Sequence, residues 1–139
     1  MKKLKFLLLT PFLLLLMGCP EKEGDGDSTI YFVNNSNKAL LDYSVTNYYP
    51  DTSIITRTSP FDEKVKEFAI KPHSTYKKED YWKRQLSLSK SGVLTIFLFD
   101  KAVVDTVAWD KIREDYLVAK RYEYTLKQLD SLNWTITYP

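Results

Sequence analysis

The stretch "GVLTIFLFD" (residues 92–100) decides the fold of this chain. Between Gly92 and Asp100 the only polar residue is Thr95, so the run is apolar on both of the faces that a strand presents. Strands with one solvated face alternate apolar and polar residues, whereas strands buried on both faces are continuously apolar. The stretch therefore predicts a central β-strand.

Segments with period-two patterning lie on both sides of this strand in the sequence. They predict further strands over residues 29–33, 40–49, 53–58, 65–71, 117–125 and 133–139. Turn chemistry separates several of them: "NNSNK" (34–38) follows the first, and Pro50 takes the second position of an expected type I turn. Residues 78–89 fit a helix and an extended segment equally well, so both alternatives stay open.

Two short helices are predicted near the C-terminus. The first has an apolar face at positions i, i+3 and i+7, formed by Trp109, Ile112 and Tyr116. The second begins with a capping box of Thr125 and Gln128, and its leucines, Leu126, Leu129 and Leu132, are expected to face inward. Together these patterns predict a mainly β fold, a small antiparallel β-sandwich or open barrel with two short helices near the C-terminus.

The first residues have the composition of a secretory signal peptide. Lys2, Lys3 and Lys5 precede the nearly all-apolar residues 6–17. That run is too short to span a hydrocarbon core of roughly 30 Å, because a helix needs about 20 residues to do so. We therefore expect the segment to be a signal peptide that is removed from the mature protein.

The segment Leu16-Met17-Gly18-Cys19 resembles the lipobox of bacterial lipoproteins. The resemblance implies cleavage after Gly18 and attachment of acyl chains, palmitate among them, to Cys19. Two or more acyl chains hold a protein stably on a bilayer. The alternatives are an ordinary signal peptide with an unrelated cysteine, or an uncleaved membrane anchor. We expect residues 1–18 to be removed, residues 19–27 to form the lipidated cysteine and an acidic tether, and residues 28–139 to fold as one β-rich domain.

The acidic segment "EKEGDGD" (21–27) resembles the segment that follows the lipidated cysteine in surface-exported lipoproteins of Bacteroidota. The resemblance implies a lipid-anchored protein of the outer membrane that is exposed at the cell surface. The alternative is a flexible spacer that faces the periplasm.

The folded part resembles a group of small uncharacterised lipoproteins of gut Bacteroidota, most closely over "WDKIREDYLVAKRYEYTLKQLDSLNWTITYP" (109–139). The resemblance also covers the segments "NNSNKAL" (34–40) and "VTNYYPDTSI" (45–54). In that family a hydroxyl residue usually precedes the first tryptophan, whereas Ala108 stands here, so the helix cap is expected from Thr106. The resemblance implies location and length, and it implies no catalytic role.

The inventory of reactive side chains favours a protein without enzymatic activity, cofactor or metal. His73 is the only histidine and Cys19 the only cysteine, whereas a zinc site needs three or four nitrogen or sulfur ligands. Gly92 is the only glycine after residue 26, so the sequence has no glycine-rich phosphate loop. The 20 basic and 18 acidic residues are scattered, so no nucleic-acid partner is indicated. Carboxylate chemistry stays formally open, because two acids suffice for glycoside hydrolysis.

Tyr48, Tyr49 and Trp82 are the candidate ligand-binding residues. Exposed aromatic side chains stack on sugar rings or bind a partner protein. The alternative is that they fill the core, and neighbouring strand residues face opposite sides, so at most one of Tyr48 and Tyr49 is expected to be buried. Thr106 in "DTV" (105–107) resembles the acceptor of protein O-glycosylation in Bacteroidota.

These observations give three functional hypotheses. The first is a lipid-anchored, non-enzymatic protein of the cell envelope that binds an envelope protein partner as an accessory subunit. The second is a surface module that binds glycans through exposed aromatic residues. The third is a carboxylate-dependent hydrolase, which requires two facing acids in a cleft.

Overall fold

A computed structural model describes residues 26–51, 53, 54 and 56–139. Six strands lie in this part of the chain: β1 (Ser28–Asn34), β2 (Leu40–Val45), β3 (Ser74–Asp80), β4 (Val93–Asp100), β5 (Lys120–Thr125) and β6 (Thr135–Tyr138). Five short helices connect them: α1 (Glu63–Lys66), α2 (Trp82–Leu88), α3 (Lys101–Thr106), α4 (Trp109–Glu114) and α5 (Leu126–Ser131). The mainly β character is confirmed, and α4 and α5 are the two helices predicted near the C-terminus.

The strands form two sheets of three, in the orders β3-β1-β6 and β2-β4-β5. The prediction of a central strand over 92–100 is confirmed, because β4 pairs with β2 on one side and β5 on the other. The expectation of antiparallel pairing is wrong for one pair, since β1 and β6 run parallel. Parallel neighbours need a long connection, and here the whole second sheet lies between β1 and β6 in the sequence. The described strands do not close into a barrel.

The two faces of β4 contribute to two different hydrophobic clusters. Leu94, Ile96 and Leu98 belong to the first cluster, which also contains Ile30, Phe32 and Ile136 of the other sheet. Phe97 and Phe99 belong to the second cluster, on the opposite face of β4. Every residue from 93 to 99 is buried, which explains why the run is apolar without alternation. Burial of one leucine or phenylalanine contributes roughly 1.5–3 kcal/mol, so β4 is central to the stability of the domain.

The connection between β2 and β3 covers the outer face of the β2-β4-β5 sheet. Phe61 packs edge-on against Phe99, with ring centroids 5.3 Å apart, and against Trp109 at 5.9 Å. Trp109 Nε1 donates to the carbonyl oxygen of Thr56 at 3.1 Å, which fixes the same connection to α4. The central strand of this sheet, β4, is therefore buried on both faces.

The strands predicted over 53–58 and 65–71 are wrong. The described residues of 53–58 are irregular, and the second segment holds α1 and an isolated bridge between Leu40 and Ile70. The Asp62 carboxylate accepts a hydrogen bond from Val65 N at 2.7 Å and starts α1. Apolar residues in these segments pack on the second cluster from a loop, so their spacing does not reflect strand pairing.

The ends of several elements also differ from the prediction. The strand expected over 40–49 ends at Val45, and Pro50 occupies the third position of a turn closed by a hydrogen bond from Asp51 N to Tyr48 O at 2.6 Å. The segment 78–89, whose sequence fits both a helix and an extended segment, contains the end of β3 followed by α2. The cap expected from Thr106 is wrong, because its hydroxyl donates to Ala102 O at 2.7 Å instead.

The predicted start of α5 is confirmed, and the prediction that its three leucines face inward is partly wrong. Thr125 and Gln128 form the predicted capping box. Leu129 is fully buried, but Leu132 is 40% exposed because it lies beyond the last helical residue. Asn133 and Trp134 take positive φ values of 48° and 57°, which turn the chain from α5 into β6.

Candidate functional site

A surface groove of about 760 Å³ lies where the end of β2 meets the end of α2. Residues 44–47 and 49 line one side of it, and residues 85 and 88–91 line the other. We call it the Tyr49 groove. Its volume falls within the range of about 300–1,000 Å³ that is usual for small-molecule sites. The groove is also larger than a second described cavity of about 500 Å³.

Hydroxyl groups hold the two sides of the Tyr49 groove together. Ser89 and Ser91 both donate to the carbonyl oxygen of Thr46, the latter at 3.1 Å. Ser91 Oγ also accepts from Val93 N at 3.2 Å, which ties the loop to the first residue of β4. Gly92 has a φ of 61°, a conformation that glycine adopts without strain. The rim is thus fixed by bonds between segments that are far apart in the sequence.

The two adjacent tyrosines have different roles at the groove. Tyr48 is 8% exposed and packs edge-on against Phe97, with centroids 6.0 Å apart. Its hydroxyl lies 3.3 Å from that of Tyr43, and burial together with this hydrogen bond raises the pKa of Tyr43. Tyr49 is 45% exposed and lines the groove. The prediction that at most one of the two is buried assumed that the strand reaches them. Only Tyr48 is buried, but β2 ends at Val45, so strand alternation is not the reason.

Three further side chains that line the groove keep their polar groups free. The side chains of Asn47, Gln85 and Lys90 make no hydrogen bond or ion pair with any other residue in the described part of the chain. Lys90 is the only charged residue among the described residues that line the groove. The groove therefore offers two amides, one ammonium group and one aromatic ring to a ligand.

The surface position expected for Trp82 is wrong. Trp82 is only 2% exposed and belongs to the first hydrophobic cluster together with Leu86. The ammonium group of Lys78 lies 5.6 Å from the centroid of its ring and covers it on one side. Trp82 begins a helix that turns its apolar face to the core, so it is a packing residue and contributes no ring to a surface platform.

Thr106 and His73 lie outside the groove. Thr106 is exposed at the end of α3, and its hydroxyl donates to Ala102 O. His73 is an exposed turn residue with a φ of 50°, and its Nε2 lies 2.7 Å from Asn37 Oδ1. No side chain of the groove contacts either residue in the described structure.

The aspartates at the end of β4, on α3 and on or beside α4 are engaged in ion pairs. Asp100 pairs with Lys38 at 3.1 Å, and Asp105 pairs with Lys101 and with Lys66. The hydrogen bond from Lys101 lowers the pKa of Asp105, so this carboxylate stays ionised. The other two pairs join neighbours on α4 and its end: Asp110 with Arg113, and Asp115 with Lys111.

Two carboxylates line the second cavity, those of Asp51 and Glu114. Arg57 and Arg113 line it as well, and Arg113 Nε donates to Ile54 O at 3.2 Å.

Among the described residues no three histidine, cysteine, aspartate or glutamate side chains come together as a metal site. No helix between residues 26 and 139 has the length and apolar character to cross a membrane.

Asp27 connects the start of the domain to α2, a contact that sequence analysis did not find. Its carboxylate accepts hydrogen bonds from Lys83 N at 2.9 Å and Arg84 N at 2.7 Å, whereas the N-cap residue of α2, Tyr81, has no side-chain cap. Desolvation raises the pKa of Asp27, but the bonds from Ser28 and the two amides outweigh it, so the pKa lies below its ordinary value. The folded part therefore includes residue 27.

Gly26 packs directly against the backbone of Asp80, and a Cβ atom there would overlap it. The lipidation and cleavage residues, Cys19 and Gly18, lie outside the described residues. A comparison with known protein families, with curated proteins and with solved structures finds no match to this chain.

Proposed function

We propose that this chain is a lipid-anchored, non-enzymatic binding protein of the bacterial outer membrane. The observation that carries the proposal is the single cysteine of the chain, Cys19, directly after Gly18 at the end of the apolar residues 6–17. Acyl chains on Cys19 anchor the protein, and the β-rich domain from residue 26 onward does the binding. Its binding partner is a protein of the envelope or a glycan at the cell surface.

The start of the folded part supports a short link to the membrane. Gly26 is the seventh residue after Cys19. An extended chain spans at most about 3.6 Å per residue, so Gly26 stays within roughly 25 Å of the lipidated cysteine. A protein held in this way acts on molecules at or near the membrane surface.

We further infer that the two sheets form a small sandwich rather than an open barrel. The first hydrophobic cluster contains side chains from both sheets, including Phe32 of β1 and Ile96 of β4. An ion pair between Lys78 of β3 and Asp42 of β2 joins the two sheets at one edge. Tyr122 of β5 donates to Thr137 O of β6 at 2.7 Å at the other edge.

The Cys19→Ala variant tests the anchor. We expect it to lose metabolic labelling with a fatty acid and to leave the membrane fraction, because no other residue carries the lipid. Thr10→Ala is the control, since it changes the apolar segment and leaves Gly18 and Cys19 intact. Unchanged labelling and unchanged membrane retention of Cys19→Ala would refute the proposed attachment.

Crosslinking on intact cells tests the accessory role. Capture of the full chain is expected to bring down one envelope protein in near-stoichiometric amount. Recovery of only abundant outer-membrane proteins would argue against a protein partner and in favour of a glycan.

One observation favours the glycan alternative specifically. The 45% exposed ring of Tyr49 faces a groove whose other lining side chains include free amides. Aromatic side chains that are exposed beside a concave surface are typical of binding sites. The hydrolase alternative rests on the second cavity, which Asp51 and Glu114 line. Two arginines line this cavity as well, and no aromatic ring is among its described lining residues.

A further inference from the structure

We propose that the Tyr49 groove is a binding site for carbohydrate that carries carboxylate groups. The proposal rests on the glycan alternative above and assigns to it a site and a ligand class. Three properties of the groove carry it: an aromatic ring on a fixed turn, amide side chains without a partner in the described structure, and one positive charge with no acidic residue among the described lining residues.

The backbone at Tyr49 is held in place before any ligand binds. Tyr49 follows Tyr48, whose buried ring packs against Phe97 and whose hydroxyl contacts Tyr43. The turn that contains Tyr49 is closed by the hydrogen bond from Asp51 N to Tyr48 O. Because the backbone is fixed, only the side-chain torsions of Tyr49 have to be ordered when a sugar stacks on its ring, which favours affinity.

Amide side chains suit the hydroxyl groups of a sugar. Each primary amide offers two donor hydrogens and one acceptor oxygen, so it can bind a hydroxyl in either role. Asn47 and Gln85 present such groups from the two sides of the groove, and neither side chain has a partner in the described structure. A buried polar group without a partner is costly, but these groups are solvated until a ligand replaces the water.

The charge in the groove selects acidic sugars over neutral ones. The ammonium group of Lys90 forms no ion pair within the described structure, and no aspartate or glutamate is among the described residues that line the groove. The carboxylate of Asp42, which accepts a hydrogen bond from the lining residue Ser44 at 3.0 Å, is paired with Lys78. A ligand carboxylate would therefore meet an unopposed positive charge.

A glycan array with the full acylated chain in detergent micelles tests this assignment. The probes are oligogalacturonate, alginate oligomers and sialylated glycans, each beside its methyl-esterified or desialylated counterpart. We expect binding to carboxylate-bearing probes, about tenfold weaker in Tyr49→Ala. Lys90→Gln should weaken binding of the acidic probes by about threefold to tenfold, remove most of its salt dependence, and leave neutral probes unaffected.

Two control variants match the test variants in exposure or charge. Tyr116→Ala removes a tyrosine that is 42% exposed outside the groove, and Lys71→Gln removes an exposed lysine outside the groove. Both are expected to bind like the unchanged protein. Equal losses of binding in the control variants, or no binding to any probe, would refute the assignment of the groove as a carbohydrate site.

If each acidic probe binds as strongly as its neutral counterpart, and if Lys90→Gln binds both like the unchanged protein, the proposal that the ligand is acidic is wrong. Mass measurement of the purified chain reports acylation independently, so failure of the anchor and failure of the groove are distinguishable.

Discussion

The hydroxyl group of Thr95 does not stabilise the fold through a hydrogen bond. It is fully buried in the middle of β4, and its Oγ1 has no hydrogen-bond partner among the described residues. A buried hydroxyl without a partner costs the free energy of its lost hydration. The site would therefore accommodate an apolar side chain of similar shape.

We predict that Thr95→Val leaves the free energy of unfolding unchanged or raises it by up to about 1 kcal/mol. Urea unfolding followed by circular dichroism measures the change. Thr137→Val on β6, where the threonine is exposed, is the control and should change little. A loss of more than about 1 kcal/mol in Thr95→Val would mean that the hydroxyl has a partner after all.

Trp82 and Tyr49 differ in burial, and this difference gives a second prediction. Trp82→Ala should lower the free energy of unfolding by about 3–5 kcal/mol, because it leaves a large cavity in the first cluster. Tyr49→Ala should cost less than about 1 kcal/mol, since nearly half of the side chain is exposed. Equal losses in the two variants, measured by urea unfolding, would contradict the burial described for Trp82.

Helix α2 depends on a residue outside itself for its N-terminal cap. The Asp27 carboxylate satisfies two backbone amides of the first turn, and its lowered pKa follows from those bonds and the one from Ser28. A carboxyl group whose pKa is lower in the folded than in the unfolded chain stabilises the fold above the unfolded pKa. That contribution is lost as the pH falls through the folded pKa, which lies below 3.8.

We therefore predict that Asp27→Asn changes stability at neutral pH but has little effect near pH 2. The difference between the urea midpoints of the two proteins should shrink as the pH falls from 5 to 2, because the carboxyl group of Asp27 is the one titrating group that the two proteins do not share. Asp110→Asn, on an exposed face of α4, is the matched control. A difference that stays constant over this pH range would show that the charge of Asp27 does not act on α2.

The sequence pattern predicts elements whose contacts are local or repeat regularly. The continuous apolar run of β4 and the capping box of Thr125 and Gln128 each carry their own signal. The segment 53–71 could not be predicted, because Ile54, Phe61 and Ala69 reach the second cluster without strand pairing, whereas its other described apolar residues are exposed or belong to the first cluster. Of the groove, only the exposure of one of the two adjacent tyrosines was predictable. Lys90 and Gln85 lie beside Asn47 because serine hydroxyls bond the loop after α2 to the end of β2. No sequence pattern predicts these bonds.

At the scale of the whole molecule, the Tyr49 groove lies close to the point where the chain leaves the domain. Asp27 caps the first turn of α2, and the last turn of α2 lines the groove. The helix has seven residues, so these two points are roughly 10 Å apart. A ligand in the groove is thus held near the membrane when Cys19 is acylated.

Shortening the link tests this geometry. Deletion of residues 21–24 makes Gly26 the third residue after Cys19 instead of the seventh and reduces the reach from roughly 25 Å to roughly 11 Å. We predict weaker binding of large acidic polysaccharides to the protein in proteoliposomes, and unchanged binding of short oligomers in detergent. Equal binding of the large polysaccharides by the full-length and shortened chains would place the groove away from the bilayer.

The most direct test of the lipid anchor is the mass of the N-terminal peptide of the mature protein, purified from outer membranes. We expect this peptide to begin at Cys19 and to carry a diacylglyceryl group on the thiol and an acyl group on the new amine. A mature chain that begins at another residue, or a Cys19 without lipid, would contradict this expectation.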